Sequence, residues 1–406
     1  MRAARRHVAA SVPDPSVVGQ SFVALGLNSV TSLIAGAVLG SITGTFERYP
    51  GLLVLVPAAI GLRGNVFSAL GSRLSSAIHQ GLFRPSLRPG TVTGDNLAAA
   101  LLLTTGLSLA LAVIAELVAL AVGVADVVPL VELATISIVG GLLASLVVVV
   151  ATVVLAVGSV RFGWDLDNLI APVVSTLGDV LTLPALWLAT LLVGHGTASD
   201  GLGWALIAGA TGATAYGWAT GRRRLRAIVR ESLSVLLAAG LLSTLAGVVL
   251  QQRLDTFAEL PALLVLVPAF VSSGGALGGI LASRLSTGLH LGTVRATAVP
   301  GRLARRDAVL VATLALPVYA FNAVGAHVTA GLLGPSAPGL GGLLAVTLIA
   351  GAASVAFVVG VAYGSSIAAY RAGLDPDTYG IPIVTSSVDF LGALVLIATA
   401  VALHLT

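Results

Sequence analysis

The sequence predicts an all-α polytopic membrane protein of about eleven transmembrane helices, arranged as two parallel five-helix repeats joined by a linker helix. Three observations carry this expectation. The 406 residues are 57% apolar and only 9% charged, with a mean hydropathy of +1.03, outside the range of ordinary soluble domains. Apolar stretches of about 20 residues or more, each able to cross the roughly 30 Å hydrocarbon core as a helix, recur along the whole chain. Two long segments also match each other at an offset of 211 residues, the mark of an internal repeat.

The spans are expected near 20–42, 50–80, 97–124, 131–159, 168–193, 202–220, 231–250, 260–290, 307–331, 340–369 and 380–404. The first follows MRAARRHVAASVPDPSVVGQ, which lacks the h-region and cleavage site of a secretory signal, so it is expected to be retained. The second and eighth carry the repeat most visibly. FERYPGLLVLVPAAIGLRGNVFSALGSRLSSAIHQG (46–81) matches FAELPALLVLVPAFVSSGGALGGILASRLSTGLHLG (257–292) without a gap, pairing Pro57 with Pro268, Gly64 with Gly275, Arg73 with Arg284 and His79 with His290. The fifth and eleventh spans open on RFGWDLDNLIAPVVSTLGD (161–179) and RAGLDPDTYGIPIVTSSVD (371–389). Both read D-x-D, four residues, Pro, six residues, Asp, at an offset of 210.

Five spans per repeat is an odd number, so direct fusion would invert the second copy. The unmatched segment GLGWALIAGATGATAYGWAT (201–220) supplies a sixth crossing and restores the orientation. The expected division is a cytoplasmic N-terminal segment (1–19), a first transport repeat (20–194), a linker helix with its basic loop (195–230) and a second repeat (231–406). Parallel repeats imply a pseudo-two-fold axis along the membrane normal, with the pathway between them. One chain then makes a pseudo-dimer and can stand as a monomer.

Basic residues near span ends stay cytoplasmic. With the N-terminus inside, sixteen of the 21 arginines lie on the cytoplasmic side, and only Arg48 and Arg253 lie outside. A multi-pass protein of the cell membrane with N-terminus in and C-terminus out is expected, its partner the lipid bilayer. The net charge of +4 is explained by this topology, which argues against nucleic-acid binding. The absence of cysteine excludes a disulfide framework and a thiolate metal or redox site. The spans leave no room for a sizeable soluble regulatory domain.

These paired motifs resemble the MgtE-type magnesium channels and the related solute carrier family 41 magnesium transporters, over nearly the whole chain and as two tandem five-span transport domains. PAAIGLRGN with SRLSSAIH, and PAFVSSGGALGG with SRLSTGLH, look most like the solute carrier version. The segments ending in Asp179 and Asp389 look like the one that carries the pore aspartate in MgtE. The resemblance implies a homodimer-like arrangement in which these two aspartates face a Mg²⁺ ion, the transported species. It also draws attention to Asn65, which matches the family's Gly-Asn pair and is replaced by Ala276 in the second copy, while Arg63 meets Gly274. The cytoplasmic sensor domains of MgtE are not expected here.

The residues themselves fit that chemistry. A carboxylate at the centre of a bilayer costs on the order of 3 kcal/mol, so ionisable groups inside spans usually line a polar path. Pro172 and Pro382 are expected in the first helical turns, with each aspartate on almost the same face roughly 10 Å deeper. Ser175, Thr176, Thr385 and Ser386 lie between as oxygen donors. Magnesium takes six oxygens and gives up water reluctantly, so a few carboxylates facing a hydrated ion suit it. Asp165, Asp167, Asp375 and Asp377 stand at the expected cytoplasmic mouth, as a second ion site or cation attractor, or simply as helix caps.

Other polar residues have plainer readings. His79 and His290 are expected as interfacial anchors, and Arg73 and Arg284 to snorkel or pair with loop acids. Arg63 is expected to oppose an acid such as Glu116, itself an auxiliary ion-site candidate. Asn28 and Asn322 are expected to join helices, and SSGGALGG after Pro268 to break a helix along the path. The alternatives are a Na⁺- or H⁺-coupled Mg²⁺ exchanger, or a carrier of Co²⁺ or Ca²⁺. The chain is not expected to be an enzyme, since neither H-E-x-x-H nor G-x-S-x-G occurs.

Overall fold

The computed structural model describes residues 15–162, 166–253, 261–333, 339–374 and 376–404. Among these residues there are twelve α-helices and no strand. They are α1 Pro15–Ser41, α2 Thr43–Arg48, α3 Leu52–His79, α4 Val92–Val122, α5 Leu130–Phe162, α6 Leu166–Thr190, α7 Thr197–Ala219, α8 Arg223–Gln251, α9 Pro261–His290, α10 Arg302–Leu333, α11 Leu340–Arg371 and α12 Pro376–Ala402. Nine of them, α1, α3, α4, α5 and α8 to α12, are long and apolar enough to cross a membrane.

The other two expected spans are also helical. The described apolar stretch of α6 is short, Thr176–Thr190, and α7 is diluted by Asp200, glycines and threonines. Local signals set the ends. At the start of α4 the Thr91 hydroxyl accepts from the Gly94 amide at 3.1 Å, the usual helix cap. At its end Gly123 takes the left-handed conformation, φ 80°, which glycine adopts without a Cβ penalty.

Two corrections to expectation concern prolines and glycines. Pro382 lies inside α12, because the helix starts earlier, with Pro376 in its first position. SSGGALGG does not break α9, which runs unbroken through Pro268 to His290. Its glycines are contact points: a Cβ on Gly278 would lie 2.6 Å from Val384 Cγ1. Close packing offsets the weak helix propensity of glycine.

The chain forms two compact units, Ile34–Val265 and Met1–Leu33 with Leu266–Thr406. These differ from the sequence repeats by an exchange of first helices. In the larger unit α8, which opens the second repeat, packs on helices of the first: Arg73 of α3 donates to Ser232 of α8 at 3.0 Å, and a Cβ on Gly240 would lie 2.5 Å from Leu111 of α4. The linker helix α7 belongs to this unit, where Gly203 abuts Val131 and Thr135 of α5 and Gly217 abuts Val229 of α8. Arg222 pairs with Asp95 at 2.9 Å, and Arg230 lies over the Trp218 ring, 5.1 Å from its centroid. The basic loop and the start of α8 therefore tie α7 to α4 and α8.

In the smaller unit the first part of α1 packs on helices of the second repeat. Ser29 meets Ser273 of α9 at 3.2 Å, and Gly325 of α10 abuts Leu33. The loop before α10 is held down by α11, through Tyr363 donating to the Thr297 carbonyl at 2.9 Å and Arg371 to that of Ala296 at 2.7 Å.

Candidate functional site

The larger unit carries the first aspartate. Asp179 is the fourteenth residue of α6 and only 9% exposed. Its helix runs against α3 where side chains are smallest. A Cβ on Gly178 would lie 3.6 Å from Arg63 Cβ and 3.7 Å from the Gly64 backbone nitrogen. Gly64 and Gly178 thus let the two backbones approach, and Asn65 and Asp179 each follow a glycine of that crossing. Thr176 and Asn65 are half-buried. Thr182 donates to the Gly178 carbonyl at 2.6 Å.

The smaller unit repeats the arrangement. Asp389 is the fourteenth residue of α12 and half-buried. Here α9 is the crossing helix: a Cβ on Gly275 would lie 3.8 Å from Thr385 Cβ, and one on Gly274 only 2.7 Å from Val388 Cγ1. Ser386 is buried, and Thr385 donates to the Pro382 carbonyl at 3.1 Å. Thr176 and Asn65 therefore accompany Asp179 in one unit, while Thr385 and Ser386 accompany Asp389 in the other. Asp165 and Asp375 lie outside the described residues, as do the side chains of Asp167, Asp377 and Ser175. Among the described residues no three His, Asp or Glu side chains form a metal-holding group.

Arg63 differs from expectation. It is 1% exposed and makes no ion pair with Glu116 or any other described acid; its Nη1 donates to the Ala59 carbonyl of its own helix and its Nε has no partner. The guanidinium reaches between α4 and α5, where a Cβ on Gly141 would lie 3.0 Å from its Nη2 and 2.5 Å from Ser108 Oγ. At the corresponding place in the smaller unit, Gly351 faces the Tyr319 ring instead, 2.5 Å from a Cβ to Cδ2. Tyr319 fills the volume left by Gly274, the repeat mate of Arg63. Glu116 is half-buried on α4.

Arg284 pairs with Asp307, which lies within α10 rather than in a loop: Nε and Nη2 both donate to Oδ1, at 2.9 and 2.7 Å. His290 engages its own helix through the Ser286 carbonyl at 2.9 Å and sits edge-on to Tyr370. The side chain of His79 lies outside the described residues.

The family model of the divalent cation transporter MgtE matches this chain twice, at residues 56–189 and 267–399. The chain belongs to the MgtE divalent cation transporter family. Each match covers one aspartate helix and the glycine crossing beneath it. Among curated relatives of this MgtE-family chain, solute carrier family 41 member 2 of Xenopus laevis is 26% identical, with 95% of this chain and 70% of the relative covered. Member 2 of Homo sapiens is 26% identical over 92% of this chain and 68% of its own length. Member 3 of Rattus norvegicus is 26% identical over 68% of this chain, which spans 61% of that relative. No solved structure matches.

Sequence reasoning singled out Asn28 and Asn322 as joining helices, but passed over the serines that accompany them in the smaller unit. Asn322 Nδ2 donates to the Ala269 carbonyl at 3.0 Å and to Ser273 Oγ at 2.9 Å, and Ser272 donates to Asn28 Oδ1 at 3.1 Å. The signal was available in the repeat: where these helices carry Asn28, Ser29, Ser272, Ser273 and Asn322, the other copy has Ala239, Gly240, Gly61, Leu62 and Leu111.

Proposed function

We propose that this MgtE-family chain carries Mg²⁺ across the cell membrane along a path between its two repeats (20–194 and 231–406), with Asp179 and Asp389 as the paired central ion site. The observation that carries the reading is the repetition of an acid, at one spacing from a proline, halfway along two apolar helices. A charge kept there twice has a use, since each is costly in hydrocarbon. Two carboxylates balance a divalent ion and repel each other without one. Nearby hydroxyls and Asn65 supply outer oxygens to an ion that retains much of its water. The arginine distribution supports an orientation with the N-terminus in the cytoplasm and the C-terminus outside.

The test is Mg²⁺ flux into liposomes holding the wild type, Asp179→Asn, Asp389→Asn or both. Loss of flux in folded variants supports the paired site. Flux that survives the double variant rejects it. Repeating the assay with and without a sodium or proton gradient separates a channel from a coupled exchanger, and substituting Co²⁺ or Ca²⁺ tests the ion.

A further inference from the structure

The larger unit buries a cation that no described acid meets. Arg63 is 1% exposed, yet among the described residues its only hydrogen bond runs from Nη1 to the Ala59 carbonyl, and its Nε has no partner. The guanidinium enters a polar seam between α4 and α5. Thr104 and Ser108 on α4, and Ser137 and Ser145 on α5, are each at most 1% exposed. Ser137 donates to the Ser108 carbonyl at 2.7 Å, and Ser145 to Thr104 Oγ1 at 3.5 Å. Gly141 lies between Ser137 and Ser145 on the same face of α5. Arg63 Nη2 and Ser108 Oγ both stand within 3.0 Å of the place its Cβ would take. The Ser108 hydroxyl also has no partner.

A guanidinium carries several donors and no acceptor, and it stays charged. Buried charges are ordinarily paired, and one left without a counter-charge is strongly destabilising. A bond from Nη2 to Ser108 would satisfy an oxygen and leave the charge as it is. Asp179 stands elsewhere: Gly140 abuts Leu186 of α6, seven residues beyond Asp179, about 10 Å along that helix. The duplication provides an internal control. Gly141 faces Ser108 while Gly351 faces Tyr319, which aligns the two seams. In the smaller unit Gly274 replaces Arg63, Ala315 replaces Thr104 and Val355 replaces Ser145. Tyr319 and Ser354 stand there for Ser108 and Ala144, with hydroxyls close enough to bond each other. The seam is thus neutral in one half and cationic in the other.

We propose that Arg63 and Ser108 bind a single dehydrated halide ion of chloride size beside Gly141, and that the smaller unit has no counterpart. Arg63 offers Nε and Nη2, and Ser108 its hydroxyl; all are donors. An anion takes them together in charge-assisted bonds and cancels the guanidinium charge, which a water molecule would not do. Gly141 presents no side chain to it. Phosphate or sulfate would bring more charge and more oxygens than one guanidinium and one hydroxyl can meet. The site is additional to the proposed Mg²⁺ path and does not rest on it.

The test uses the purified full-length chain in detergent, with magnesium removed by EDTA so that the outcome is independent of the aspartate path. Its thermal unfolding midpoint is followed as sodium gluconate is replaced by NaCl or NaBr at constant ionic strength. A saturable rise with either halide is expected in the wild type. Arg63→Met should show none, while its midpoint in gluconate is no lower than that of the wild type. Ser108→Ala should need about tenfold more chloride for the same rise, as loss of one hydrogen bond to the ion implies. That variant removes a single oxygen, so it reports even if Arg63→Met fails to fold. Equal wild-type midpoints in chloride and gluconate would leave only water or packing around the guanidinium and overturn the proposal. So would a halide response that persists in Arg63→Met, or one that Ser108→Ala leaves unchanged, since either places the ion elsewhere.

Discussion

Gly36 of α1 lies directly against the main-chain carbonyl of Val265 in α9, so closely that a Cβ on it would collide with the oxygen. The same contact recurs 211 residues on, with Gly247 of α8 against the carbonyl of Val54 in α3. Because the first member of each pair belongs to one repeat and the second to the other, the two contacts are reciprocal. Both lie within the larger unit. Gly36→Val and Gly247→Val should each destabilise by about 1–3 kcal/mol through overpacking, to a similar extent. Gly209→Ala, on an open face of α7, should be close to neutral. Thermal unfolding of the three variants checks this.

Arg63 is a buried charge that no described acid meets. Removing a buried ion in favour of an apolar side chain of similar size is commonly neutral or stabilising. Arg63→Met should therefore leave the unfolding midpoint unchanged or raise it. Gly141→Ala, which would press on the guanidinium and on Ser108, should lower it. A fall in the midpoint of Arg63→Met would mean that the guanidinium contributes contacts beyond the Ala59 carbonyl.

The repeat mates Arg73 and Arg284 should separate in their energetics. Arg284 directs two donors at one carboxylate oxygen of Asp307, whereas Arg73 meets the neutral hydroxyl of Ser232. Asp307→Ala should cost about 1–2 kcal/mol, as a charge-assisted bond implies, and Ser232→Ala less than about 1 kcal/mol. A double-mutant cycle with each arginine, read by denaturation, measures the two couplings.

The natural sequence has no cysteine, so any thiol introduced is the sole one. In intact cells, Arg253→Cys should react with a membrane-impermeant maleimide, and Arg223→Cys only after permeabilisation. The reverse pattern would invert the topology inferred from the arginines.

Much of the fold was legible because the signals are local. Span-length apolar runs and the gapless match across 46–81 and 257–292 each need only a window of sequence. One glycine of each crossing, Gly64 and Gly275, was visible as a repeated pair. What stayed hidden was which helices meet. Hydropathy does not distinguish α1 packing on α3 from α1 packing on α9, since both faces are apolar. Arg63 was assigned an acid because a buried cation normally has one, and no residue type in the sequence says that none of the described acids meets it. Asn28 and Asn322 were read correctly as joining helices. Their hydroxyl neighbours were overlooked because serine in a span is common, and only the contrast with Leu62, Leu111 and Ala144 makes them unusual.

The exchange of first helices also bears on how the protein is made. Asn28 of α1 and its partner Ser272 of α9 are 244 residues apart. At synthesis rates of about 5–20 residues per second, roughly 12–50 s pass before α9 emerges. Throughout that interval α1 resides in the bilayer with its polar face towards lipid or the insertion machinery. A nascent chain halted after α6 would hold every helix up to the first aspartate and still lack both the home of its first helix and the α8 that packs on α3 and α4. Biogenesis of the first half therefore finishes only when the second half has been translated, and mutations late in the gene should cause degradation of early segments.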